Sequence, residues 1–108
     1  MKIQIDNYIY IYRLTLEDGT IVHKVGVSSH TNMIVRLLEI VRSFFEVYRY
    51  VPECRCKKYR LVKDAYKVEK MIHKELDRYI FEKPFSGHTE IFTDSYEVVL
   101  ECYEDKIS

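Results

Sequence analysis

The chain has 108 residues, 47% hydrophobic and 31% charged, with 17 basic and 17 acidic side chains and a formal net charge of +0 at pH 7. That length supports one domain with its own core and needs no metal or disulfide to hold it. Zero net charge argues against indiscriminate binding to nucleic acid, and no apolar run reaches bilayer-spanning length.

The N-terminal MKIQIDNYIY alternates apolar and polar residues instead of forming the apolar block of a signal peptide. Residues 8–16 and 20–27 are β-rich on either side of Asp18-Gly19, a strong short hairpin signal. Residues 28–32 are polar and suit a helix cap. Residues 33–44 place Met33, Ile34, Leu37, Leu38 and Val41 at helical spacing, with Arg36 and Arg42 off that stripe. FEVYRYV, residues 45–51, alternates and stops at Pro52, which predicts a third strand. ECRCKKYRLV reads either as a loop or as an extension of that strand.

Residues 63–82 predict a second helix that buries Ala65, Val68, Ile72, Leu76 and either Tyr79 or Ile80, with Pro84 preventing continuation. Residues 89–92 read as a short extended piece. Asp94 with Glu97 three residues later reads as a capping box that opens a last helix through about residue 103. The order β-β-α-β-α-(β)-α is an α+β fold: a small three-stranded antiparallel sheet flanked by helices, with one domain over residues 1–108 and no repeat. Cys54, Cys56 and Cys102 are an odd set with neither disulfide-framework nor zinc spacing, so structural thiols in a reducing, cytoplasmic setting are expected.

Charge is unevenly distributed. Residues 36–89 hold 13 basic and 8 acidic groups, whereas residues 90–108 hold one basic and six acidic. The middle can face phosphate, or the two regions can satisfy each other. Tyr8, Tyr10 and Tyr12 share one face of the first strand, where rings pack as cross-strand pairs and hydroxyls remain for polar partners.

Several short motifs follow in order: YIY at residues 8–10 or IYR at 11–13, KVG at 24–26, Arg36, Glu69-Lys70-Met71-Ile72-His73, and Thr89-Glu90-Ile91-Phe92. Together they resemble the GIY-YIG endonuclease superfamily, in particular its phage and viral branch, over roughly residues 7–93. The resemblance implies a metal-dependent nuclease acting on nucleic acid, DNA above all, from a phage or large virus. Glu69 would hold Mg²⁺ or Mn²⁺, because such ions prefer carboxylate oxygen and keep most of their waters. Arg36 would grip the scissile phosphate with its planar donor fork. Tyr10 or Tyr12 would position or deprotonate the attacking water, and Gly26 would let backbone pass close to the site. Glu90 would hold the polar network or pair with a basic helix. His73 shares a helix face with Glu69 and is either a polar group near phosphate or a hydrogen-bonded core histidine. Lys57, Lys58, Arg60, Lys63 and Lys67 could track a nucleic-acid backbone.

The chain departs from the family pattern at Lys24, which stands where the second motif has a tyrosine. Lysine can stabilise phosphate charge but supplies no phenol. Two other functions therefore stay open: a non-catalytic nucleic-acid-binding module on the same fold, or a viral protein-interaction module that inhibits a host defence enzyme. A homodimer or a protein partner would supply the specificity that so small a chain lacks. No membrane association is expected.

Overall fold

The computed structural model describes residues 6–29 and 32–107; the alternation in residues 1–5 and the centre of the polar 28–32 segment lie outside the described residues. The hairpin forms where expected. β1 (Asn7–Thr15) and β2 (Ile21–Ser28) pair antiparallel from Tyr8↔Ser28 to Thr15↔Ile21. At the turn Gly19 adopts φ +86°, and the Asp18 carboxylate accepts from the Thr20 N–H at 3.0 Å. α1 (Met33–Tyr48) starts at Asn32, whose Oδ1 accepts from the Ile34 N–H at 3.0 Å.

The predicted strand at residues 45–51 is instead the end of α1. Phe44, Val47 and Tyr48 fit period 3.6 as well as period 2, and the Phe44 ring stacks on Tyr48 with centroids 4.7 Å apart. Arg49 closes the helix in the left-handed region, φ +63°, with its N–H donating to Phe45 O. The third strand is the ambiguous ECRCKKYRLV. β3 (Glu53–Val62) pairs with the other edge of β1, from Asn7↔Val62 to Thr15↔Glu53, with an irregularity at Ile11/Tyr12.

α2 (Ala65–Glu75) is shorter than predicted. Leu76 turns extended because the following segment leaves to meet the sheet: Tyr79 N–H donates to Ile91 O, and Thr93 N–H to Asp77 O. A 3-10 turn (His88–Glu90) precedes β4 (Ile91–Phe92), which pairs with His23 and Lys24. The sheet therefore has four strands, in the order β3-β1-β2-β4, rather than three. α3 (Tyr96–Ile107) is capped by Ser95, whose Oγ accepts from the Val98 N–H. Asp94 is not its capping residue; that carboxylate accepts from the Asp77 N–H at 2.7 Å.

Both faces of the sheet are covered. On one, Ile9, Ile11, Val25 and Phe92 meet Ile72 of α2 and Val99 and Tyr103 of α3. On the other, Tyr10, Tyr12, Leu14, Val22 and Ile91 meet Met33, Ile40 and Phe44 of α1. The alternation of isoleucine and tyrosine along β1 is thus a division between two cores. The buried stripe of α1 is rotated from the predicted one: Met33, Ile40 and Phe44 face inward, while Ile34 and Leu38 are exposed. On α2, Ala65, Glu69 and Ile72 are buried, and Ile80 beyond it is exposed. Among the described residues, no helix is long and apolar enough to cross a membrane.

Phe44 touches the rings of Tyr48, Tyr50, Phe81 and Phe85. It is the hub that ties α1 to the segment before β4. Phe44→Ala should cost about 3–5 kcal/mol of folding free energy, measured as a lowered urea midpoint. A loss below about 1 kcal/mol would mean that the ring cluster closes without it.

Candidate active site

The site starts from a vacancy in β2. Tyr10 is opposite Gly26 across the β1–β2 pair, and a β-carbon at Gly26 would overlap the phenol oxygen of Tyr10. The Tyr10 ring therefore lies over β2, and its hydroxyl accepts a hydrogen bond from Arg36 Nε at 3.4 Å. Arg36 can reach it because its place on α1, between Met33 and Ile40, is on the sheet-facing side. Its Nη1 donates to Glu39 Oε2 at 2.9 Å, which fixes the guanidinium from the outside. Burial holds the Tyr10 phenol far above its usual range, and Arg36 pulls against that without cancelling it.

Lys24 is fully buried, so its ammonium must be paired. Nζ donates to Glu90 Oε2 at 2.6 Å and to Gly87 O at 3.0 Å. Gly87 adopts φ +82°, and a β-carbon there would overlap the ammonium. The loop before the 3-10 turn thus closes around Lys24. Burial lowers the pKa of Lys24, opposed by the charge and hydrogen bond of Glu90.

Glu69 and His73 approach from α2 as an i,i+4 pair. His73 Nε2 donates to Val25 O at 2.8 Å, and Glu69 accepts from the Val27 N–H. Alternate residues of a strand turn their backbone groups to one edge, and β4 pairs only with His23 and Lys24. The two α2 side chains therefore satisfy the edge of β2 beyond the end of β4. His73 is a hydrogen-bonded, half-buried histidine with its ring centroid 5.0 Å from that of Phe92. Burial lowers its pKa, with the bond to Val25 O opposing. Burial, with repulsion from Glu90 behind it, pushes Glu69 up to about 7, while Lys24 and the Val27 N–H draw it down.

Tyr10, Lys24, Arg36, Glu69 and Glu90 thus share one electrostatic neighbourhood. They are layered. Tyr10 and Lys24 have no exposed surface, Glu69 is 9% exposed, and Arg36 and Glu90 form the outer layer with side chains 23% and 29% exposed. Gly26 serves the site by making room for a ring, not by letting backbone pass close to it.

The Tyr12 ring stacks on Tyr10 with centroids 4.2 Å apart, but its hydroxyl donates to Met33 O at 2.7 Å and so braces α1. Other expected residues lie elsewhere. Tyr8 leans on Tyr59, with centroids 5.9 Å apart. Lys57, Lys58 and Arg60 lie on β3, separated from β2 by β1, and Lys63 follows in the turn to α2. Lys58 pairs with Glu104, and Lys57 rests over the Tyr96 ring. These cations do not meet at Glu69. Two contributors were not anticipated: Glu39, whose i,i+3 spacing to Arg36 was the available signal, and Gly87, just upstream of Thr89-Glu90.

Among the described residues, no group of three or more His, Cys, Asp or Glu side chains could hold a metal ion. Glu69 and Glu90 repel each other, and a hard divalent cation relieves that repulsion. Mg²⁺ commonly takes only one or two protein carboxylates and completes its shell with water. Glu69 fits such an ion.

A family model, the T5orf172 domain, matches residues 7–106 of the chain. No curated protein and no solved structure matches it.

Because the folded chain holds Glu69 near 7, above its ordinary carboxylate value, its protonated form favours folding. That contribution is full below the unfolded pKa and is lost as pH rises through about 7. In chelator, Glu69→Gln should melt close to wild type at pH 5 and increasingly above it toward pH 8. A difference in melting temperature that does not change with pH would contradict this placement of the carboxylate.

Proposed function

The chain belongs to the T5orf172 domain family, and on that premise we propose that it is a small, metal-dependent, GIY-YIG-like nuclease that hydrolyses phosphodiester bonds, with DNA as the substrate. The family is nuclease-related and found in phage, which agrees with the motif order. The observation that carries the reading is the meeting of the Tyr10 hydroxyl with Arg36 Nε at 3.4 Å, beside a Glu69 carboxylate poised near neutrality.

Phosphodiester hydrolysis requires an oriented water, neutralisation of the charge that grows on the phosphoryl oxygens, and help for the departing oxygen. Arg36 is the more accessible of the site's two cations, half-buried where Lys24 is sealed, and would supply a planar fork for two phosphoryl oxygens. Glu39 holds that fork in place. The Tyr10 oxygen accepts from Arg36 and, having no exposed surface, acts through the guanidinium it orients. With its pKa raised by burial, Tyr10 is not a ready base. Glu69 would hold Mg²⁺ or Mn²⁺, and such an ion supplies polarisation of the phosphate and acidification of its own water.

Lys24 does not replace the motif phenol one for one. Its ammonium is committed to Glu90 and the Gly87 carbonyl. It acts as a fixed counter-charge that tempers two neighbouring carboxylates. The full burial of Tyr10 and Lys24 favours a second reading, in which the fold binds nucleic acid without cutting it.

The test is cleavage of single- and double-stranded DNA in Mg²⁺ or Mn²⁺. Glu69→Ala and Arg36→Ala should each lower the rate by about 10²-fold or more, with Arg36→Ala also losing about 1–3 kcal/mol of stability because the buried Tyr10 hydroxyl loses its partner. Tyr10→Phe should slow cutting, while Tyr12→Phe should not. A wild-type protein that shifts DNA in gels yet cuts no substrate would replace the nuclease with the binding module.

A further inference from the structure

We infer that the aromatic cleft between the hairpin tip and the C-terminal end of α1 is a docking site for an arginine side chain, presented by a basic segment of a partner protein. The inference goes beyond the phosphodiester reading and does not depend on it.

The cleft has a volume of about 380 Å³. Its walls are Phe44 and Tyr48 of α1, Tyr50 just after the helix, and Tyr79 and Phe81 of the segment that leads to β4. Two hydroxyls fix these walls in place. The Tyr48 hydroxyl donates to Lys83 O at 3.0 Å and accepts from the Lys83 N–H at 2.8 Å, which pins the Phe81 segment to α1. The Tyr50 hydroxyl accepts from the Glu17 N–H at 3.2 Å, which pins the hairpin tip. Tyr50 and Phe81 stand nearly perpendicular to Phe44, at 82° and 80°, and Tyr79 meets Phe81 at 64°. Rings that meet at such angles enclose a hollow instead of stacking it shut. Tyr48, Tyr50, Tyr79 and Phe81 are only half-buried, so part of each ring stays open.

Charge identifies the occupant. Three carboxylates line the same cleft, Glu17 and Asp18 from the hairpin and Glu82 from beside Phe81, and no basic residue does. All three are exposed, and among the described residues none is in an ion pair. Asp18 gives one oxygen to the turn, where Oδ1 accepts from the Thr20 N–H. Arg49 and Lys83 are sequence neighbours of the walls and of Glu82, yet they do not line the cleft. The cations that do lie over rings, Lys57 on Tyr96 and Lys58 on Tyr103, are at α3. Open ring faces and unmatched carboxylates both attract a cation. The same carboxylates repel a polyanion, which separates this cleft from any nucleic-acid track.

Shape chooses among cations. A lysine ammonium is a strongly hydrated point charge, whereas a guanidinium is flat, weakly hydrated, stacks on aromatic faces and forks onto carboxylates. The volume lies near the small end of the roughly 300–1,000 Å³ range of ligand sites, which suits one side chain. One guanidinium carries a single charge against three carboxylates. The balance therefore comes from further basic residues of the same segment, which selects a basic peptide over a lone amino acid. At about 1.5 Å per residue along α1, Tyr48 is roughly 18 Å from Arg36, so a partner can dock here without covering the candidate active site.

Amide-shift titration of ¹⁵N-labelled protein tests this with three unlabelled peptides: Gly-Arg-Gly-Arg-Gly, its lysine counterpart, and its citrulline counterpart, which keeps the flat shape without the charge. The arginine peptide should shift the Glu17, Asp18 and Phe81 amides saturably. The lysine peptide should bind about threefold or more weakly, and the citrulline peptide should not saturate. A Glu17→Gln, Glu82→Gln double variant should weaken the arginine peptide about 10-fold, with any DNA cutting unchanged. Phe81→Leu should erase the preference for arginine over lysine, which a purely electrostatic patch would not show. Equal binding of the two cationic peptides, unmoved by Phe81→Leu, would overturn the inference, as would citrulline binding equal to arginine. Acetylarginine amide binding as tightly as the peptide would replace the protein segment with a small cation. If the double variant instead splits a dimer, a second copy occupies the cleft and the inference fails. DNA cutting by a protein that binds no peptide would sink the cleft and keep the nuclease. Arginine-selective binding by a protein that cuts nothing would do the reverse.

Discussion

At Gly26 the sheet has room for a phenol ring and no room for a β-carbon, and the meeting of Tyr10 with Arg36 follows from that. The Tyr10 ring crosses β2 through this gap, so its hydroxyl emerges on the α1 side within reach of Arg36. Glu69 approaches the same strand from α2 and bonds the Val27 N–H, one residue beyond the gap. A side chain at Gly26 would force the phenol to move, and the Tyr10–Arg36 contact would go with it. A glycine inside a strand usually weakens it; here the local cost accompanies a bond between two layers of the protein.

The second constraint is electrostatic. A buried ammonium without a partner costs several kcal/mol, so Lys24 draws Glu90 and the Gly87 carbonyl to itself. This divides the two acidic residues by role. Glu90 is the counter-ion of Lys24. Glu69 receives only part of that positive field, keeps one backbone donor, and is pushed by burial and by Glu90 to about 7. Burial first, and then Glu90, hold Glu69 up against the opposing charge of Lys24.

Local signals in the sequence were legible where one interaction decides structure: Asp18-Gly19 for the turn, the polar 28–32 segment for the cap that Asn32 supplies, Ala65 and Ile72 for the buried face of α2. The failures have shared causes. FEVYRYV satisfies helical and strand periods equally, and the aromatic cluster around Phe44 selects the helix. ECRCKKYRLV is an edge strand with nearly all its residues exposed or half-buried, so it shows little alternation to read. β4 has two residues, too few for a pattern. The motifs named Arg36, Glu69, Lys24 and Glu90, and the fold brings these four side chains into one electrostatic neighbourhood. The choice between Tyr10 and Tyr12 was not legible, since it depends on which ring faces a glycine and which faces a carbonyl of α1. The lysines of β3 were grouped with the site because sequence proximity to basic residues does not reveal that β1 separates β3 from β2.

The proposed reaction needs a divalent ion at Glu69, alongside the Tyr10–Arg36 pair. Paramagnetic broadening by substoichiometric Mn²⁺ in ¹⁵N-labelled protein probes this most directly. The Val27 amide and the Arg36 Nε–H signal should fade first, with the Asp18-Gly19 turn and the β3 amides unaffected. Broadening centred on β3 or the acidic α3, or spread evenly over the chain, would place the ion elsewhere and contradict the account.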